Sequence, residues 1–544
     1  MSEDSFNLLD KPWIRVRTTD GDLEEVSLLE VLDRAPQLDA LAGEMPTQDA
    51  AVLRILLAVL HRVVPGGEDS EAAVDAWDDV WRAGALPMDD VRAYLDKYRD
   101  RFDLLDPVAS FGQVAGLQTA KEGWSGLAKL VGEHPYGVPH FTVRGGAGLR
   151  SLSLGEAARW LVHCQAFDPS GIKPGAIGDP RVMGGKGYPI GTGWAGSLGL
   201  FVLEGRSLFE TLMLNLVVRA SHRDDRPVWE RPALGAAEEA GPRQPQGPAD
   251  IMTWPSRRIR LKVDDGAVVD ALICNGDRIE LQDRQRVETM SVWRDSEAQA
   301  KKFGRQVTVP RAHLPARAVW RGLPATLEAG SAGSQVASMQ TQEWVSLLTK
   351  EEVLGYDFPL RLHAIGMSYG AKNSSVVDLI DDLLTLRPAV LADPGLRQRA
   401  IDAVHSADRA ASALGWFAEL LFQAAGGDGK NEAEVHRTAA RETAYTLLDL
   451  PCRRALRALG PSTEPGSWHT AWEQTVRQLI GDEALRMVRA AGRPALVGRP
   501  VRVSESRADH IDAASALSRL HHTLRKALPL AYPSTAERPE GETS

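Results

Sequence analysis

Cysteine is scarce in this sequence. Its 544 residues include three, Cys164, Cys274 and Cys452, which lie far apart and form no C-x-x-C pair. An odd number of widely spaced cysteines argues against a disulfide framework and against a structural zinc site, and it is typical of proteins from a reducing compartment. We therefore expect cytoplasmic localisation and no bound metal.

Long hydrophobic runs are lacking as well. The longest, residues 53–64, is interrupted by Arg54, His61 and Arg62, which excludes a membrane-spanning helix there. Residues 1–5 show neither the basic region nor the apolar region of a secretory signal. These absences agree with the expectation of a cytoplasmic protein that has no membrane partner.

An excess of positive charge is also missing. The chain has 63 Lys and Arg against 73 Asp and Glu, a net charge of −10. This balance is not that of a free-standing nucleic-acid-binding protein. Any affinity for phosphate groups would have to come from local basic patches or from the other subunits of an assembly.

The length and composition predict a globular protein with more than one domain. The chain is too long for a single core, and its contents of 43% hydrophobic and 25% charged residues are ordinary. Strand-like and helical segments alternate up to about residue 384, and helical patterns dominate afterwards. We predict an α+β fold in which a large mixed domain, residues 1–384, precedes an antiparallel four-helix bundle, residues 385–532. Residues 533–544 are predicted to be a disordered tail.

The bundle prediction depends on amphipathic patterns separated by Gly and Pro. Asp393 and Pro394 form a typical helix start, with a capping side chain followed by proline at the first helical position. Glycines and prolines then interrupt the pattern at three short connections. The predicted helices are 394–425, 431–459, 467–491 and 510–528. Four amphipathic helices with short connections favour an antiparallel bundle.

Three local patterns in the first domain carry further predictions. Thr47 is positioned to cap a helix with an apolar stripe, and Ser153 with Glu156 forms a capping-box pattern. Residues 223–250 are rich in Pro, Gly and Glu, which predicts a solvent-exposed loop.

One motif suggests an enzyme. Gly366-Met-Ser368-Tyr-Gly370 matches G-x-S-x-G, the turn that holds a nucleophilic serine between a strand and a helix. A strand over 360–365 and a helix over 376–384 would supply that context. A serine hydrolase would also need an acid and a histidine, for which Asp408 and His469 are candidates. The alternative is a turn in which glycine permits positive φ, and five-residue matches often arise by chance.

The start of the chain carries a more specific signal. Residues 6–16 read Phe-Asn-Leu-Leu-Asp-Lys-Pro-Trp-Ile-Arg-Val, which predicts a tight turn followed by a half-buried strand. This stretch, together with residues 101–106, 110–113 and 254–261, resembles the CasA family, the large subunit of the type I-E CRISPR surveillance complex Cascade. The segments follow one another in the order found in that family.

The resemblance implies a DNA-checking subunit in antiviral defence, with no catalytic residue and no cofactor. Such a subunit recognises the PAM, a short tag beside the target, through the minor groove of double-stranded DNA. It opens the duplex so that the crRNA can pair, which forms an R-loop, and it helps to recruit a helicase-nuclease. The implied partners are the other Cascade subunits, the crRNA, the target DNA and that effector.

The resemblance assigns PAM inspection to a glycine loop, here Gly184, Gly185, Lys186 and Gly187. Glycine has no Cβ, so the backbone of such a loop can come close to another surface. Close approach suits the minor groove, which is about 6 Å wide and presents a degenerate pattern of donors and acceptors. On composition alone, a flexible surface loop is the alternative.

The resemblance also assigns a wedge, a hairpin tip that enters the duplex below the PAM, to Lys372, Asn373 and Ser374. Asn stands here where relatives carry Gln, and its amide can hydrogen-bond a base edge. Opening a base step costs a few kcal/mol, which pairing with the RNA would offset. The same residues also fit the capped start of a helix over 376–384.

Basic residues supply the remaining DNA contacts in this hypothesis. No acid occurs between Ala298 and Leu327, and Lys301, Lys302 and Arg305 begin that basic block. Such a local excess favours contact with phosphates, although most charged runs are solvated faces. The block continues with Arg311, Arg317 and Arg321.

Two further assignments come from the resemblance. Arg284 or Arg286 falls where relatives carry a lysine that reads the PAM minor groove, and arginine suits a narrow groove because negative potential concentrates there. Phe141, in a Pro- and Gly-broken loop, is the candidate anchor for docking onto the crRNA and neighbouring subunits. An ordinary core phenylalanine is the alternative.

Overall fold

The computed structural model describes residues 5–64, 66, 69–121, 123–134, 142–218, 224–238, 243–328, 336–337, 339–504 and 507–532. The chain divides into two compact units. The first comprises Met1–Arg317, Glu328–Leu354 and Pro359–Leu383. The second comprises Ala318–Leu327, Gly355–Phe358 and Leu384–Ser544.

Helices and strands alternate in the first unit, and helices dominate the second. The helices are α1 (Leu28–Asp33), α2 (Pro46–Val63), α3 (Ser70–Ala83), α4 (Met88–Asp96), α5 (Leu154–Phe167), α6 (Leu208–Asn215), α7 (Pro248–Met252), α8 (Glu297–Phe303), α9 (Val319–Leu327), α10 (Gln340–Lys350), α11 (Pro388–Ala392), α12 (Pro394–Ala424), α13 (Lys430–Ala458), α14 (Pro465–Val497) and α15 (Ala513–Ala527). The strands are β1 (Ile14–Thr18), β2 (Leu23–Val26), β3 (Leu38–Leu41), β4 (Lys173–Pro174), β5 (Lys186–Gly187), β6 (Leu200–Glu204), β7 (Arg257–Asp264), β8 (Ala267–Asn275), β9 (Trp293–Asp295), β10 (Thr308–Pro310), β11 (Val336–Ala337), β12 (Leu360–Tyr369), β13 (Val376–Leu386), β14 (Arg499–Ser504) and β15 (Arg507–Ile511).

The strands of the first unit form small sheets. One has the order β2-β1-β3, a second β10-β9-β11 and a third β13-β12-β6. Two further pairs, β4-β5 and β7-β8, are antiparallel. β1 begins directly after the buried Trp13, which confirms the predicted turn and strand at the start of the chain. The mixture of helix and sheet confirms the coarse fold prediction.

Helix α2 lies in the core of the first unit. Apart from the partly exposed Asp49, its residues from Thr47 to Leu60 are buried, because other elements pack around the helix. Arg54 on this helix forms two hydrogen bonds of 2.9 Å with the Glu288 carboxylate. The predicted cap is wrong: Met45 is the N-cap and Pro46 the first helical residue, while the Thr47 hydroxyl lies 3.1 Å from His163 Nε2.

The capping-box prediction for α5 is half correct. Ser153 Oγ accepts a hydrogen bond from the Glu156 amide at 3.2 Å. The Glu156 carboxylate does not complete the box, because it is bound by Arg144 and by Trp160 Nε1.

The predicted helix over 376–384 is wrong, because this segment is strand β13. Its buried residues include Val376, Ile380 and Leu384, which are four positions apart. A spacing of four places residues on one face of a helix and equally on one face of a strand. Hydrogen bonding to β12 decides between the two, and sequence periodicity does not report it.

The prediction of an exposed loop over 223–250 is only partly correct for the residues that the structure describes there, because exposed residues alternate with buried ones. Trp229 is 1% exposed, and Asp225 accepts hydrogen bonds from the amides of Ala249 and Asp250 at the start of α7. Proline and glycine mark irregular backbone, but they do not determine whether that backbone is buried.

The second unit consists mainly of α12, α13, α14 and α15, close to the four predicted helical segments. Asp393 accepts the Leu396 amide at 2.8 Å and Pro394 is the first helical residue of α12, as predicted. Helix α12 packs against the other three. The close approach of α13 requires Gly415, because a Cβ there would lie 2.9 Å from the Arg437 carbonyl oxygen. The hairpin β14-β15 was not predicted.

Candidate nucleic-acid interface

The glycine loop is a tight β-hairpin turn. Met183 and Lys186 exchange two backbone hydrogen bonds of 3.1 Å, with Gly184 and Gly185 between them. These glycines have φ of +58° and +71°, the left-handed values of a type I′ turn. A Cβ at either position would meet no protein atom within 4 Å. Glycine is therefore favoured here by the backbone angles, and the outer face of the turn is open.

The base of this turn is tightly packed. Strand β5 pairs with β4, so that Gly187 stands opposite Lys173. A Cβ on Gly187 would lie 2.9 Å from the Asn275 amide nitrogen, which itself donates to the Tyr188 carbonyl at 2.6 Å. The hairpin thus has a constrained base and an unobstructed tip.

Lys372, Asn373 and Ser374 also lie at a hairpin tip. The chain turns between β12 and β13, and the Gly370 amide donates to the Ser375 carbonyl at 2.9 Å. Lys372 and Asn373 have φ of +57° and +55°. Both are exposed, as are their neighbours in the turn. Left-handed backbone is uncommon for residues other than glycine and is a reason to look for a function.

The two candidate minor-groove arginines have different environments. Arg284 is partly buried: its Nε donates to the Glu280 carbonyl at 3.1 Å, and its guanidinium contacts Gln244. Burial lowers the pKa of the Arg284 side chain. Arg286 is exposed, and no ion pair of it is found in the described part of the chain. Arg286 is therefore the better placed of the two to reach a ligand.

The basic block does not behave as one patch. Lys301 and Lys302 occupy the exposed last turn of α8, whereas Arg305 forms an ion pair with Asp283 at 2.6 Å. Arg321 belongs to the second unit, where its guanidinium stacks 3.4 Å above the centre of the Tyr445 ring. The two lysines are the members most available for phosphates. Phe141 lies outside the described residues.

The context required for a nucleophilic serine is absent from the described residues. Ser368 lies within the ten-residue strand β12, which is followed by a three-residue 3-10 turn, Ala371–Asn373, and then by strand β13. A nucleophile elbow requires a sharp strand-to-helix turn at the serine itself. Its proposed partners are engaged elsewhere, since Asp408 accepts a hydrogen bond from Tyr445 and His469 Nε2 lies 3.6 Å from Glu473. The predicted elbow at Ser368 is wrong.

Two polar clusters were missed by sequence reasoning. His363 on β12 bonds Glu204 on β6 at 2.6 Å and Asp381 on β13 at 2.7 Å. Burial alone would lower the pKa of His363, but the two carboxylates outweigh it and raise that pKa above its usual value. No sequence signal links these three residues, because the strand pairing that unites them is long-range.

The second missed cluster is a buried ion network. The Asp168 carboxylate lies 2.6 Å from Lys173 Nζ and also accepts a hydrogen bond from Arg257 Nε. Burial alone would raise the pKa of Asp168, but the two cations outweigh it and hold that pKa below its usual value. Arg257 is far from Asp168 in sequence, and only the fold brings them together.

Two features are absent from the described residues. No helix among them is long and apolar enough to cross a bilayer. They also contain no group of three or more His, Cys, Asp or Glu side chains arranged to hold a metal ion.

These features define a protein of mixed helix and sheet that presents two exposed hairpin tips with left-handed backbone. Comparison with known proteins identifies its family. The family model "CRISPR-associated protein Cse1" matches residues 7–482. The chain belongs to this family, which confirms the CasA resemblance because a curated relative carries both names, CasA/Cse1.

That relative, from Thermus thermophilus, is 37% identical over 271 residues. The match covers 49% of this chain and 50% of the relative, so it spans about half the length of each protein. The crystal structure of Thermobifida fusca Cse1 is 39% identical, with a TM-score of 0.88 over 97% of this chain and 99% of that one.

A chain of a "CRISPR RNA-guided surveillance complex" has a TM-score of 0.72 at 21% identity, over 96% of this chain and 99% of that one. At this identity the likeness shows a shared fold.

Proposed function

We propose that this chain is the large subunit of a type I-E Cascade complex in antiviral defence, and that it acts by binding and not by catalysis. Family membership and the fold shared with a chain of a surveillance complex support this role. Its partners are then the other subunits, the crRNA, double-stranded target DNA and the helicase-nuclease, all in the cytoplasm. Residues 1–384 form the recognition domain, and α12 to α15 form an antiparallel four-helix bundle.

The observation that carries the proposal is the open turn at Gly184 and Gly185. Its outer face is free of protein atoms within 4 Å of where each Cβ would be, so bare backbone can enter a minor groove about 6 Å wide. Lys186 follows the turn with an exposed side chain that can contact a neighbouring phosphate. Backbone contacts in the minor groove read a degenerate code, which suits tolerance of several related PAM sequences.

The tip at Lys372, Asn373 and Ser374 acts as the wedge. The turn is exposed and has a left-handed backbone. Its side chains therefore project from the surface and are not buried by packing. The Asn373 amide can hydrogen-bond a base edge once the step is opened.

Basic side chains hold the duplex in this proposal. Arg286 reaches the minor groove, while Lys301, Lys302 and Arg305 contact phosphates. Arg284 is the alternative minor-groove residue, but its side chain is partly buried. Phe141 docks the subunit onto the crRNA and neighbouring subunits.

The test is duplex binding by the reconstituted complex with and without this chain, at about 0.15 M salt. Target duplexes differ only in the PAM. The variant Gly184→Asn converts the turn to Asn-Gly, the preferred type I′ sequence, so the turn is kept while a side chain occupies its open face. We expect this variant to lose PAM-dependent binding.

Gly266→Asn is the matched control. Asp265 and Gly266 form another turn with positive φ between β7 and β8, and a Cβ on Gly266 would also meet open space. This control should bind normally. If the wild-type chain makes no difference to binding, or if Gly184→Asn retains full PAM preference, a purely architectural role becomes the better explanation.

A further inference from the structure

Residues 167–175, which we call the linking segment, contact the wedge hairpin. The Tyr369 hydroxyl, at the end of β12, donates to the Phe167 carbonyl at 2.7 Å. The Ser170 amide donates to the Asn373 carbonyl at 2.8 Å. The first bond is made at the last residue of β12, where the turn begins, and the second is made within the turn itself.

The same segment also contacts the glycine turn. Its residues Lys173–Pro174 are strand β4, the pairing partner of β5. The Gly175 amide then donates to the Gly185 carbonyl at 3.0 Å, within the turn itself. A single short segment is therefore hydrogen-bonded to both elements of the proposed DNA interface.

One buried carboxylate ties the two parts of the linking segment together. Asp168 lies beside the contacts to the wedge, and its carboxylate pairs with Lys173, which lies beside the contacts to the glycine turn. The side chains are only 7% and 8% exposed. This pair closes residues 168–173 into a loop.

Arg257 anchors that loop to β7. Besides its bond to the Asp168 carboxylate, its guanidinium donates to the carbonyls of Asp168, Pro169 and Gly191 at 3.1, 3.2 and 2.8 Å. Arg257 is fully buried. Breaking a buried ion network leaves uncompensated charge, so removing one member should release the loop.

We propose that the linking segment couples the two hairpins, so that minor-groove binding at Gly184–Gly187 favours insertion of the tip at Lys372–Ser374, with Asp168 and Lys173 as positioning residues. The inference rests on the proposed function and adds a route between its two steps. Coupling between two sites is reciprocal, so blocking the tip also weakens discrimination at the turn.

The experiment is a double-mutant cycle measured as duplex opening by the reconstituted complex. A 2-aminopurine base beside the PAM reports opening by its fluorescence. Gly184→Asn blocks the turn. Asn373→Gly removes the amide at the tip and tolerates its positive φ. Coupled sites give non-additive effects, and we expect the double variant to differ from the product of the single effects by about fivefold or more.

The cycle is repeated in an Asp168→Asn background. There the effect of the double variant on duplex opening should equal the product of the effects of Gly184→Asn and Asn373→Gly. Hydrogen exchange provides a readout without DNA: Asp168→Asn should speed exchange at residues 183–187 and 369–375 together. Tyr369→Phe removes one bond to the linking segment with little risk to folding, and it should reduce the non-additive factor. Tyr98→Phe is its matched control in the same unit and should leave that factor unchanged.

The outcomes separate the two proposals. If the wild-type complex opens duplexes regardless of the PAM and neither single variant matters, the proposed function fails. If each single variant matters but the effects are additive, only the coupling fails. Non-additivity that survives both Asp168→Asn and Tyr369→Phe also overturns the coupling. If Asp168→Asn does not fold, the Tyr369→Phe comparison decides.

Discussion

Glu288 shows how strongly one residue can contribute to the first unit. Its side chain and that of Arg54 are 0% and 2% exposed, and the Glu288 carboxylate also accepts Trp194 Nε1 at 2.7 Å. Replacing Glu288 by Gln keeps the volume but leaves the buried arginine without a counter-charge. We expect the free energy of unfolding to fall by about 3–5 kcal/mol, measured by urea denaturation.

Glu24→Gln is the control for this prediction at the residue scale. Glu24 pairs with Arg34 at 2.8 Å, but both side chains are about 40% exposed. Surface pairs contribute about 0–1 kcal/mol, so this variant should unfold near the wild-type midpoint. Equal midpoints for the two variants would show that burial does not strengthen the Arg54 pair.

At the scale of elements, His363 links all three strands of the sheet β13-β12-β6 through Glu204 and Asp381. Its pKa is raised in the folded state. The stabilisation is therefore fully present below the unfolded pKa of about 6.5 and is lost as pH rises through the folded value. The stability difference between wild type and His363→Gln should shrink between neutral and alkaline pH.

Urea denaturation of both proteins across that pH range checks this prediction. Asp49 also titrates, since burial raises its pKa to about 7. The charge of His363 lowers the pKa of Asp49, so the Asp49 contribution differs between wild type and His363→Gln. The comparison is therefore made in an Asp49→Asn background, which removes this second titrating group. A stability difference that stays constant up to alkaline pH would contradict the proposed cross-strand link.

The elements also show what sequence can and cannot predict. The helices from α12 to α15 could be predicted because long amphipathic periods and Gly or Pro interruptions are local signals. Strand β13 could not be predicted, because a four-residue spacing fits both the helical period and the strand period. Only the pairing of this segment with β12 determines that it is a strand. The glycine turn follows from local backbone preference. The bond between Asp168 and Arg257, in contrast, depends on how distant segments meet.

For the whole molecule, the net charge of −10 means that the proposed DNA binding must depend on where the cations lie. Binding to duplex DNA weakens with salt in proportion to the phosphates neutralised, with a logarithmic slope of about −0.9 for each. If Lys301 and Lys302 both contact phosphates, the variant Lys301→Gln/Lys302→Gln should make the slope for the reconstituted complex shallower by about 1.8.

The double variant Lys97→Gln/Lys350→Gln changes the net charge by the same amount as Lys301→Gln/Lys302→Gln. It separates an effect of local phosphate contacts from an effect of overall charge. Both lysines are exposed on the first unit, and Lys350 lies in the last turn of α10 as Lys302 lies in that of α8. Local contacts predict an unchanged slope for this control, because counterion release depends on the phosphates that are neutralised. Equal changes in the two double variants would mean that overall charge, and not the basic block, sets the affinity of the complex for DNA.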